Sequence, residues 1–272
     1  MDAFSLAFFN IFLFIFGASI GSFLNVLSDR LPNDESIMGR SHCEKCKHEL
    51  SWLDLFPVAS FFLLNGKCRY CKTKLSFFYP AVEIVTGIFF VLTWNFLPSN
   101  SLVGIVPFTG SFYLLKIIQL TVISTLLVIF FADWKYQIIP DSMLVILTIC
   151  AGVLSFLVPH FEVKQLFPVI KDGVIVMIPI LLLFAATRGR GMGFGDVKLA
   201  FVIGLLFGWQ QGLVILYLSF IIGALAGVFL IFSKKKKLKS KIAFGPFIVI
   251  AMWLTLFFHS QLLNLLKSVW GI

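Results

Sequence analysis

Two pairs of closely spaced cysteines are the residues best suited to chemistry in this chain, because thiolates at this spacing bind metal ions. The pairs are Cys43-Glu-Lys-Cys46 and Cys68-Arg-Tyr-Cys71, and 21 residues separate them. Two such knuckles can place four thiolates tetrahedrally around one Zn²⁺ ion, and the basic residues beside each pair favour the thiolate form. The spacing therefore predicts a structural zinc site with no open position for water. A redox-active dithiol and metal-free cysteines remain the alternatives.

Acidic residues at the ends of long apolar stretches are the second group of candidates. They are Glu83, Asp133, Asp141 and Asp196. Asp141 follows Pro140, and a helix start explains both residues, because proline fits the first turn and an acid there complements the helix dipole. Asp133 ends its apolar stretch, where a carboxylate opposes the dipole, although Lys135 could simply neutralise it.

Asp196 closes the glycine-rich stretch Gly191-Met-Gly193-Phe-Gly195-Asp196. Three glycines in five residues allow positive φ angles and a close approach of the backbone. The stretch could be a hinge, or a helix start with Asp196 at the N-cap. It could equally bring the carboxylate beside another helix and leave room for an extended peptide.

Two carboxylates close together would be suited to peptide hydrolysis. Repulsion and desolvation keep one of them protonated while the other ionises. The ionised carboxylate takes a proton from the attacking water, and the protonated one donates a hydrogen bond to the scissile carbonyl. The residues alone do not decide whether Asp133 or Asp141 would pair with Asp196. A serine triad has little support, since the chain has four histidines and no Gly-x-Ser-x-Gly motif.

The composition requires these groups to work in a membrane. Of the 272 residues, 59% are hydrophobic and 13% are charged, and the mean hydropathy is +0.99. A soluble domain has about 25% charged residues, so a soluble enzyme, a disordered chain and a disulfide-rich peptide are excluded. The net charge of +9 indicates topology and contact with anionic lipid, so we expect a lipid bilayer and no nucleic acid as partner.

Eight apolar segments predict an all-α polytopic fold with about eight transmembrane helices. They lie at about 4–27, 80–98, 111–132, 142–158, 173–187, 197–208, 213–232 and 243–264. The sixth and seventh are the weakest, because Gln210 and Gln211 interrupt the apolar stretch. Two short spans joined by a turn at Trp209–Gly212 would explain this stretch, and so would one re-entrant segment.

Lysine and arginine then predict the orientation. Segments 28–79, 133–141, 188–198 and 234–241 hold 18 of the 22 basic residues. The positive-inside rule places these segments in the cytoplasm and both termini outside. The run Lys234–Lys237 is expected to be a topology anchor, with substrate binding as the alternative. The predicted domains are a first transmembrane helix at 1–27, a small cytoplasmic zinc-binding insert at 28–79 and a membrane domain at 80–272.

Several ordered stretches, from about residue 21 to 253, resemble the type IV prepilin peptidases, which are bifunctional enzymes of the bacterial inner membrane. The matching stretches are GSFLNVLSDRLP (Gly21–Pro32), both cysteine pairs, YPAVEIVTG (Tyr79–Gly87), DWKYQIIPD (Asp133–Asp141), GMGFGDVKL (Gly191–Leu199), GWQ (Gly208–Gln210) and FGPF (Phe244–Phe247). The resemblance implies a GxGD-type aspartic protease whose catalytic residues are Asp133 and Asp196. It therefore favours Asp133 over Asp141.

The resemblance also implies substrates, a cofactor and further residues. Such enzymes cleave the short basic leader of prepilins and pseudopilins after a glycine, at the cytoplasmic face of the membrane. They then methylate the new N-terminal residue, usually Phe, from S-adenosylmethionine. The second activity would lie in the cysteine-bearing insert and the nearby Gly66 and Glu83. The candidates that would support the aspartates or contact substrate are Gly193, Gly195, Lys198 and Asp141.

Two other functions remain open from the sequence. The first is a peptidase that has no methyltransferase activity. The second is a transporter or an assembly scaffold with a zinc module, in which the acids at membrane depth would be ion sites. A presenilin-like peptidase would share the GxGD motif, but the chain lacks the Pro-Ala-Leu motif expected of it and that class leaves the cysteine insert unexplained.

Overall fold

The computed structural model describes residues 3–98, 112–157, 166–233 and 243–258, and the fold of these segments is helical, as predicted. The helices are α1 (Ala3–Arg30), α2 (Ala59–Leu63), α3 (Phe78–Phe96), α4 (Phe112–Tyr136), α5 (Asp141–Phe156), α6 (Leu166–Thr187), α7 (Phe194–Phe232) and α8 (Gly245–Phe257). The only extended pairing in these segments consists of two isolated β-bridges. The chain divides into two compact units, Met1–Phe96 and Leu97–Ile272.

Five helices in the described part of the chain are long and apolar enough to cross a membrane, namely α1, α3, α4, α6 and α7. Helices α5 and α8 are apolar but shorter. These helices fit a multi-pass membrane protein, but the eight predicted spans do not match the helices one for one. Helix α6 begins at Leu166 rather than near residue 173, and α7 contains both the sixth and the seventh predicted spans. Residues 259–264 of the last predicted span and the run Lys234–Lys237 lie outside the described residues.

Helix α7 is interrupted at Gly208, where φ is 74° and ψ is 168°. Only glycine adopts this backbone conformation at low cost. Before the break, a Cβ built on Gly204 would lie 2.5 Å from the carbonyl oxygen of Asp172 in α6. After the break, a Cβ on Gly212 would lie 2.6 Å from Val176, on the C-terminal side of that first contact. If α7 were straight, Gly212 would lie about 12 Å beyond Gly204, toward the N-terminal end of α6 instead.

The chain therefore reverses at Gly208, and both halves of α7 run along α6. The predicted pairing of two short segments agrees with this reversal. The predicted turn at Trp209–Gly212 is wrong in position, because these four residues are helical. The glutamines interrupt the apolar pattern, but the backbone breaks at the neighbouring glycine, which alone tolerates the required φ angle.

In the first unit, α1 and α3 cross at glycines. A Cβ on Gly21 would lie 2.8 Å from the Cα atom of Glu83, and a Cβ on Gly87 would lie 2.9 Å from the carbonyl oxygen of Phe14. Gly17 and Gly21 have the small-x₃-small spacing that lets membrane helices approach closely. This crossing places the backbone of Glu83 directly against α1.

In the second unit, α4 is the most enclosed of the five long helices. Its side chains Ile123, Leu126, Leu127 and Ile129 are fully buried, and α4 packs against α5 and α8. A polar group on the buried face of α4 is therefore surrounded by apolar side chains unless another polar group meets it. This environment determines the chemistry of Asp133 at the end of the helix.

Candidate active site and candidate metal centre

Asp133 lies in the last turn of α4, one turn inside the helix end, and is only 5% exposed. Gln137, with φ of 57°, donates its backbone N–H to the Asp133 carbonyl oxygen at 2.9 Å and closes the helix. The carboxyl group packs against Gly245, the first residue of α8, whose backbone amide interacts with it. A Cβ built on Gly245 would lie 2.7 Å from Asp133 Oδ2. Within the described segments this oxygen has no hydrogen-bond partner.

Asp196 lies in the first turn of α7 and is 6% exposed. Its Oδ2 accepts a hydrogen bond from the backbone N–H of Gly193 at 3.0 Å. Gly193 is therefore the N-cap, and the alternative that Asp196 would be the N-cap residue is wrong. The carboxylate instead sits at the third helical position and reaches back to the cap, which satisfies one of the free N–H groups at the helix start.

The glycines around Asp196 act through space rather than through unusual backbone angles. Gly191, Gly193 and Gly195 all lack positive φ angles, so the motif does not use the backbone freedom that its glycines allow. A Cβ on Gly195 would lie 3.1 Å from the Cβ atom of Ile139, so glycine lets the α4–α5 connection approach the start of α7. The predicted close approach of the backbone is thus present at Gly195.

The structure brings Asp133 and Asp196 together as two buried carboxyl groups. The two groups lie within electrostatic range of each other, and one carboxyl comes from the end of α4 and the other from the start of α7. Buried apolar side chains of the same unit, including Val197 and Ile248, lie next to these residues in the chain or in the neighbouring helix. Two carboxyl groups in such surroundings can share one proton, as hydrolysis by a carboxylate pair requires.

Asp141 has a different environment from both buried aspartates. It begins α5 directly after Pro140, and its side chain is 70% exposed. Lys198 Nζ lies 2.7 and 2.8 Å from its two carboxylate oxygens. The structure thus gives Asp141 a helix-start position and a cationic partner. These two features account for the residue, and they separate it from Asp133.

The four cysteines form a cluster whose geometry fits zinc. Their Sγ atoms all lie within 4.8 Å of one another, and Cys43 and Cys71 are 3.8 Å apart. A tetrahedral site with Zn–S bonds of about 2.3 Å has S···S distances of about 3.8 Å. Both knuckles share one backbone pattern, in which Lys47 and Lys72 take positive φ and donate their N–H groups to the carbonyl oxygens of the leading cysteines. His42 and His48 are not part of the cluster.

Hydrogen bonds near the cluster stabilise the Cys71 thiolate, and an Asp54–Arg69 ion pair anchors the loop beside it. Hydrogen bonds with Thr73 lower the pKa of Cys71 to about 6, which favours the form that binds metal. In the neighbouring loop, burial would raise the pKa of Asp54, but hydrogen bonds from Ser51 and the Arg69 guanidinium outweigh it and lower that pKa. Arg69 Nε lies 2.6 Å from Asp54 Oδ1, and this ion pair ties the second knuckle to the loop before α2.

Glu83 and Gly66 lie at opposite ends of the short helix α2. Glu83 is 9% exposed, and its Oε2 accepts the backbone N–H of Val58 at 2.7 Å. Val58 has φ of 61°, which is costly for a β-branched residue, so this hydrogen bond stabilises a strained helix start. Gly66 has φ of 65° and donates its N–H to the Phe61 carbonyl oxygen at 2.8 Å after the helix end. A hollow of about 290 Å³ adjoins Gly66.

Sequence reasoning missed two polar contacts of α4. The sequence shows Gly245 only as part of the FGPF stretch, whereas in the structure it packs on the Asp133 carboxyl. The signal in the sequence was a glycine at the start of a helix, since a residue without a side chain there leaves room for a neighbouring group. Lys116 is 2% exposed and donates to the Leu97 carbonyl oxygen at 2.6 Å. A lysine inside an apolar stretch was the signal in that case, since membrane-buried lysines need a partner.

The fold and the site define a class of protein, namely multi-pass helical membrane proteins with a pair of buried carboxyl groups and a tetracysteine module. Two family models match the chain. The model of the bacterial peptidase A24 N-terminal domain matches residues 15–96, and the model of the type IV leader peptidase family matches residues 120–228. The chain belongs to the type IV leader peptidase family.

Curated relatives match almost the whole chain. A Pseudomonas putida protein named prepilin leader peptidase/N-methyltransferase is 28% identical over 278 residues, which cover 91% of this chain and 90% of the relative. A Bacillus subtilis protein of the same name is 29% identical over 242 residues, covering 86% and 88%. An Aeromonas hydrophila protein of that name is 29% identical over 271 residues, covering 90% and 89%. No solved structure matches the chain significantly.

Proposed function

We propose that this chain is an integral membrane aspartic endopeptidase that cleaves the short basic leader of type IV prepilins and pilin-like proteins after a glycine. It then N-methylates the new N-terminal residue, usually Phe, from S-adenosylmethionine. Family membership and the names of relatives with 28–29% identity support this function. The observation that carries it is the burial of Asp133 and Asp196, at 5% and 6% exposure, in one apolar helical unit and within electrostatic range of each other.

In this mechanism the two carboxyl groups share one proton. The ionised group removes a proton from water as the water oxygen attacks the scissile carbonyl carbon, and the protonated group donates a hydrogen bond to the carbonyl oxygen. The resulting tetrahedral diol collapses when the C–N bond breaks and a proton passes to the leaving amine. The products are the leader's carboxyl terminus and a free N-terminal amine. Low solvent exposure strengthens each of these interactions.

The proposal includes a membrane topology. The chain crosses the bacterial inner membrane about eight times, and α7 supplies two of these crossings, one before and one after Gly208. The basic segments and the active site face the cytoplasm. A prepilin keeps its apolar helix in the bilayer, so its cleavage site lies at the membrane edge. Asp133 in a last helical turn and Asp196 in a first helical turn suit a bond at that edge.

The four cysteines hold one structural Zn²⁺ ion in this proposal, and the metal stabilises an insert of about 50 residues that has little core of its own. The insert serves methyl transfer. Lys67 and Lys74, together with the rings of Phe61 and Phe62, line the hollow beside Gly66. Lysines suit the carboxylate of S-adenosylmethionine and aromatic rings suit its adenine, and when bound the cofactor supplies the methyl group. Glu83 holds the start of the adjacent helix α2.

Cleavage of a prepilin with a Gly-Phe junction tests the peptidase. We would compare wild type, Asp133→Asn, Asp196→Asn and the control Asp141→Asn in membranes at equal expression. Loss of cleavage by at least about 10³-fold in the first two variants is expected, because each removes one member of a pair that acts as a unit. Asp141→Asn should retain at least a tenth of the activity. Equal cleavage by wild type and Asp196→Asn would show that the pair is not catalytic.

Transfer of a labelled methyl group to the cleaved product tests the second activity. Glu83→Gln weakens the hydrogen bond to Val58 and should reduce methyl transfer while leader cleavage continues. A wild-type enzyme that cleaves without methylating would leave only the peptidase. Ion-driven transport that does not respond to prepilin, in a protein that cleaves none, would instead favour a transporter.

A further inference from the structure

Large apolar side chains are exposed on one part of the insert between α1 and α3. Four of them lie within residues 55–63, in α2 and just before it, namely Leu55, Phe56, Phe62 and Leu63. The first cysteine knuckle, residues 43–49, exposes no large apolar side chain. The insert therefore has an apolar part and a polar part, and exposed apolar side chains that cluster in this way mark an interaction surface.

The apolar part is bound to a helix that is long enough to cross the membrane. Val58, the residue before α2, donates its backbone N–H to Glu83 Oε2 at 2.7 Å. Glu83 is the sixth residue of α3, which has 19 residues and is therefore about 28 Å long. The hydrocarbon core of a bilayer is about 30 Å thick, so the whole of α3 is needed to cross it. The first turn of α3 therefore marks the edge of the membrane.

The hydrogen bond to Glu83 holds α2 at this edge. Glu83 lies about 7.5 Å along the helix axis from Phe78, and helical side chains lean toward the N-terminus, so its carboxylate is nearer still to the start of α3. Leu63 is 81% exposed and lies five residues, or about 7.5 Å of helix, after Val58. A membrane protein is surrounded at this level by the boundary between lipid head groups and acyl chains, where amphipathic elements bury their apolar side chains.

Basic side chains lie beside the apolar ones. Residues 55–82 contain four basic residues and no acidic residue. Lys67 and Lys74 are β-bridge partners, both are exposed, and they line one hollow together with Phe61 and Phe62. Exposed lysines beside aromatic and aliphatic side chains match an anionic membrane surface, whose head groups attract lysine and whose acyl boundary accepts the apolar groups.

We propose that segment 55–63 binds the anionic lipid of the membrane surface, with Lys67 and Lys74 at the head groups. The partner is lipid rather than another protein, because Val58 is held at a level where lipid surrounds α3 and because the neighbouring charge is basic. This contact does not depend on the proposed function. It has a consequence for that function, since the hollow beside Gly66 then lies where a substrate anchored by a membrane helix presents its new N-terminal amine.

The accessibility of a spin label in the full chain tests this surface. A spin-labelled amino acid would replace Leu63 or, as the control, Lys45, an exposed residue of the first knuckle. In vesicles of phosphatidylcholine and phosphatidylglycerol we expect oxygen, which concentrates in lipid, to relax the label at 63 severalfold more than a water-soluble nickel chelate does. At residue 45 the nickel chelate should dominate. A melting temperature equal to that of the unlabelled protein shows that the label leaves the fold intact.

Three results would overturn the inference. A label at 63 that the nickel chelate reaches as readily as it does at 45 would place α2 in water. A label at 63 that neither reagent reaches would mean that protein covers this surface. Lipid access at both positions would mean that the first knuckle is immersed as well, so that segment 55–63 is not the lipid-binding surface.

Charge reversal tests the part played by the lysines. Lys67→Glu combined with Lys74→Glu reverses the basic pair beside α2, and Lys45→Glu combined with Lys47→Glu makes the same change of charge on the first knuckle. We expect the first pair to lower the oxygen-to-nickel ratio at 63 severalfold and the second pair to leave it unchanged. Equal effects of the two pairs, or equal ratios in vesicles with and without phosphatidylglycerol, would overturn the choice of an anionic surface. Failure of the proposed function leaves all these results unchanged, because neither cleavage nor methyl transfer is measured.

Discussion

Substitution of Gly245 by alanine tests the geometry of the carboxyl pair without removing either acid. The new Cβ would lie 2.7 Å from Asp133 Oδ2 and 3.1 Å from Asp133 Cγ, whereas ordinary contact begins at 3.4 Å. The carboxyl group, or α8 itself, must therefore move by about 0.7 Å to relieve the overlap of the new methyl group. A misplacement of about 1 Å can cost about 100-fold in rate. We expect Gly245→Ala to lower kcat/KM for prepilin cleavage by about 10- to 100-fold.

The assay is the rate of leader cleavage in membranes that contain equal amounts of each variant. Gly152→Ala is the matched control, because a Cβ at that helical glycine meets nothing within 4 Å. Alanine favours a helix more than glycine does, so unfolding of α8 would not explain a loss of rate. A Gly245→Ala enzyme that cleaves within twofold of wild type would refute the contact or the role of Asp133 in the reaction.

Further predictions concern zinc, acid stability and helix packing. Zinc content should fall from one ion per chain to near zero in Cys43→Ser but not in Cys150→Ser, since only the former removes a ligand of the cluster. Because the pKa of Asp54 is lowered in the fold, its stabilisation is present above its unfolded pKa of about 3.9 and is lost as pH falls through the lower folded value. Asp54→Asn should therefore lower the free energy of unfolding at pH 7 by about 1–2 kcal/mol, and should reduce the acid sensitivity of the insert, measured by hydrogen exchange. Gly204→Val should reduce the melting temperature in detergent and the amount of protein in membranes, because its side chain would overlap the α6 backbone at the carbonyl of Asp172.

The cysteine cluster could be predicted well because its geometry is local. Each CxxC knuckle is a turn of a few residues, closed by a positive-φ lysine and by a β-bridge between residues seven apart. The short sequence from Cys43 to Cys46 and the residues beside it therefore determine most of the structure of the first knuckle. Only the meeting of the two knuckles is long-range, and a common metal ion gives a physical reason for it.

The choice between Asp133 and Asp141 could not be made from the residues alone. Both aspartates lie near helix ends on one short connection, and neither residue type nor spacing reveals burial. The difference arises from α8, more than 100 residues later, whose Gly245 covers Asp133, and from Lys198, which pairs with Asp141. The break at Gly208 was missed for a related reason, because hydropathy responds to Gln210 and Gln211 whereas backbone reversal needs a positive φ.

The position of Asp196 at a helix start, rather than within a helix, has a chemical consequence. A peptide must be extended to be cleaved, and its backbone groups then need hydrogen-bond partners in a region where water is scarce. The first N–H groups of a helix have no partner within the helix, so the start of α7 offers donors beside the carboxyl pair. Gly193 lacks a side chain that would block this approach, since a Cβ there would meet only Asp196 and the Gly195 backbone, whereas Ile139 fills the space beside Gly195. Gly195 is therefore explained by the packing of Ile139, and Gly193 is the position of the motif at which we expect an extended substrate to find room, while Asp196 holds the cap in place through the Gly193 N–H.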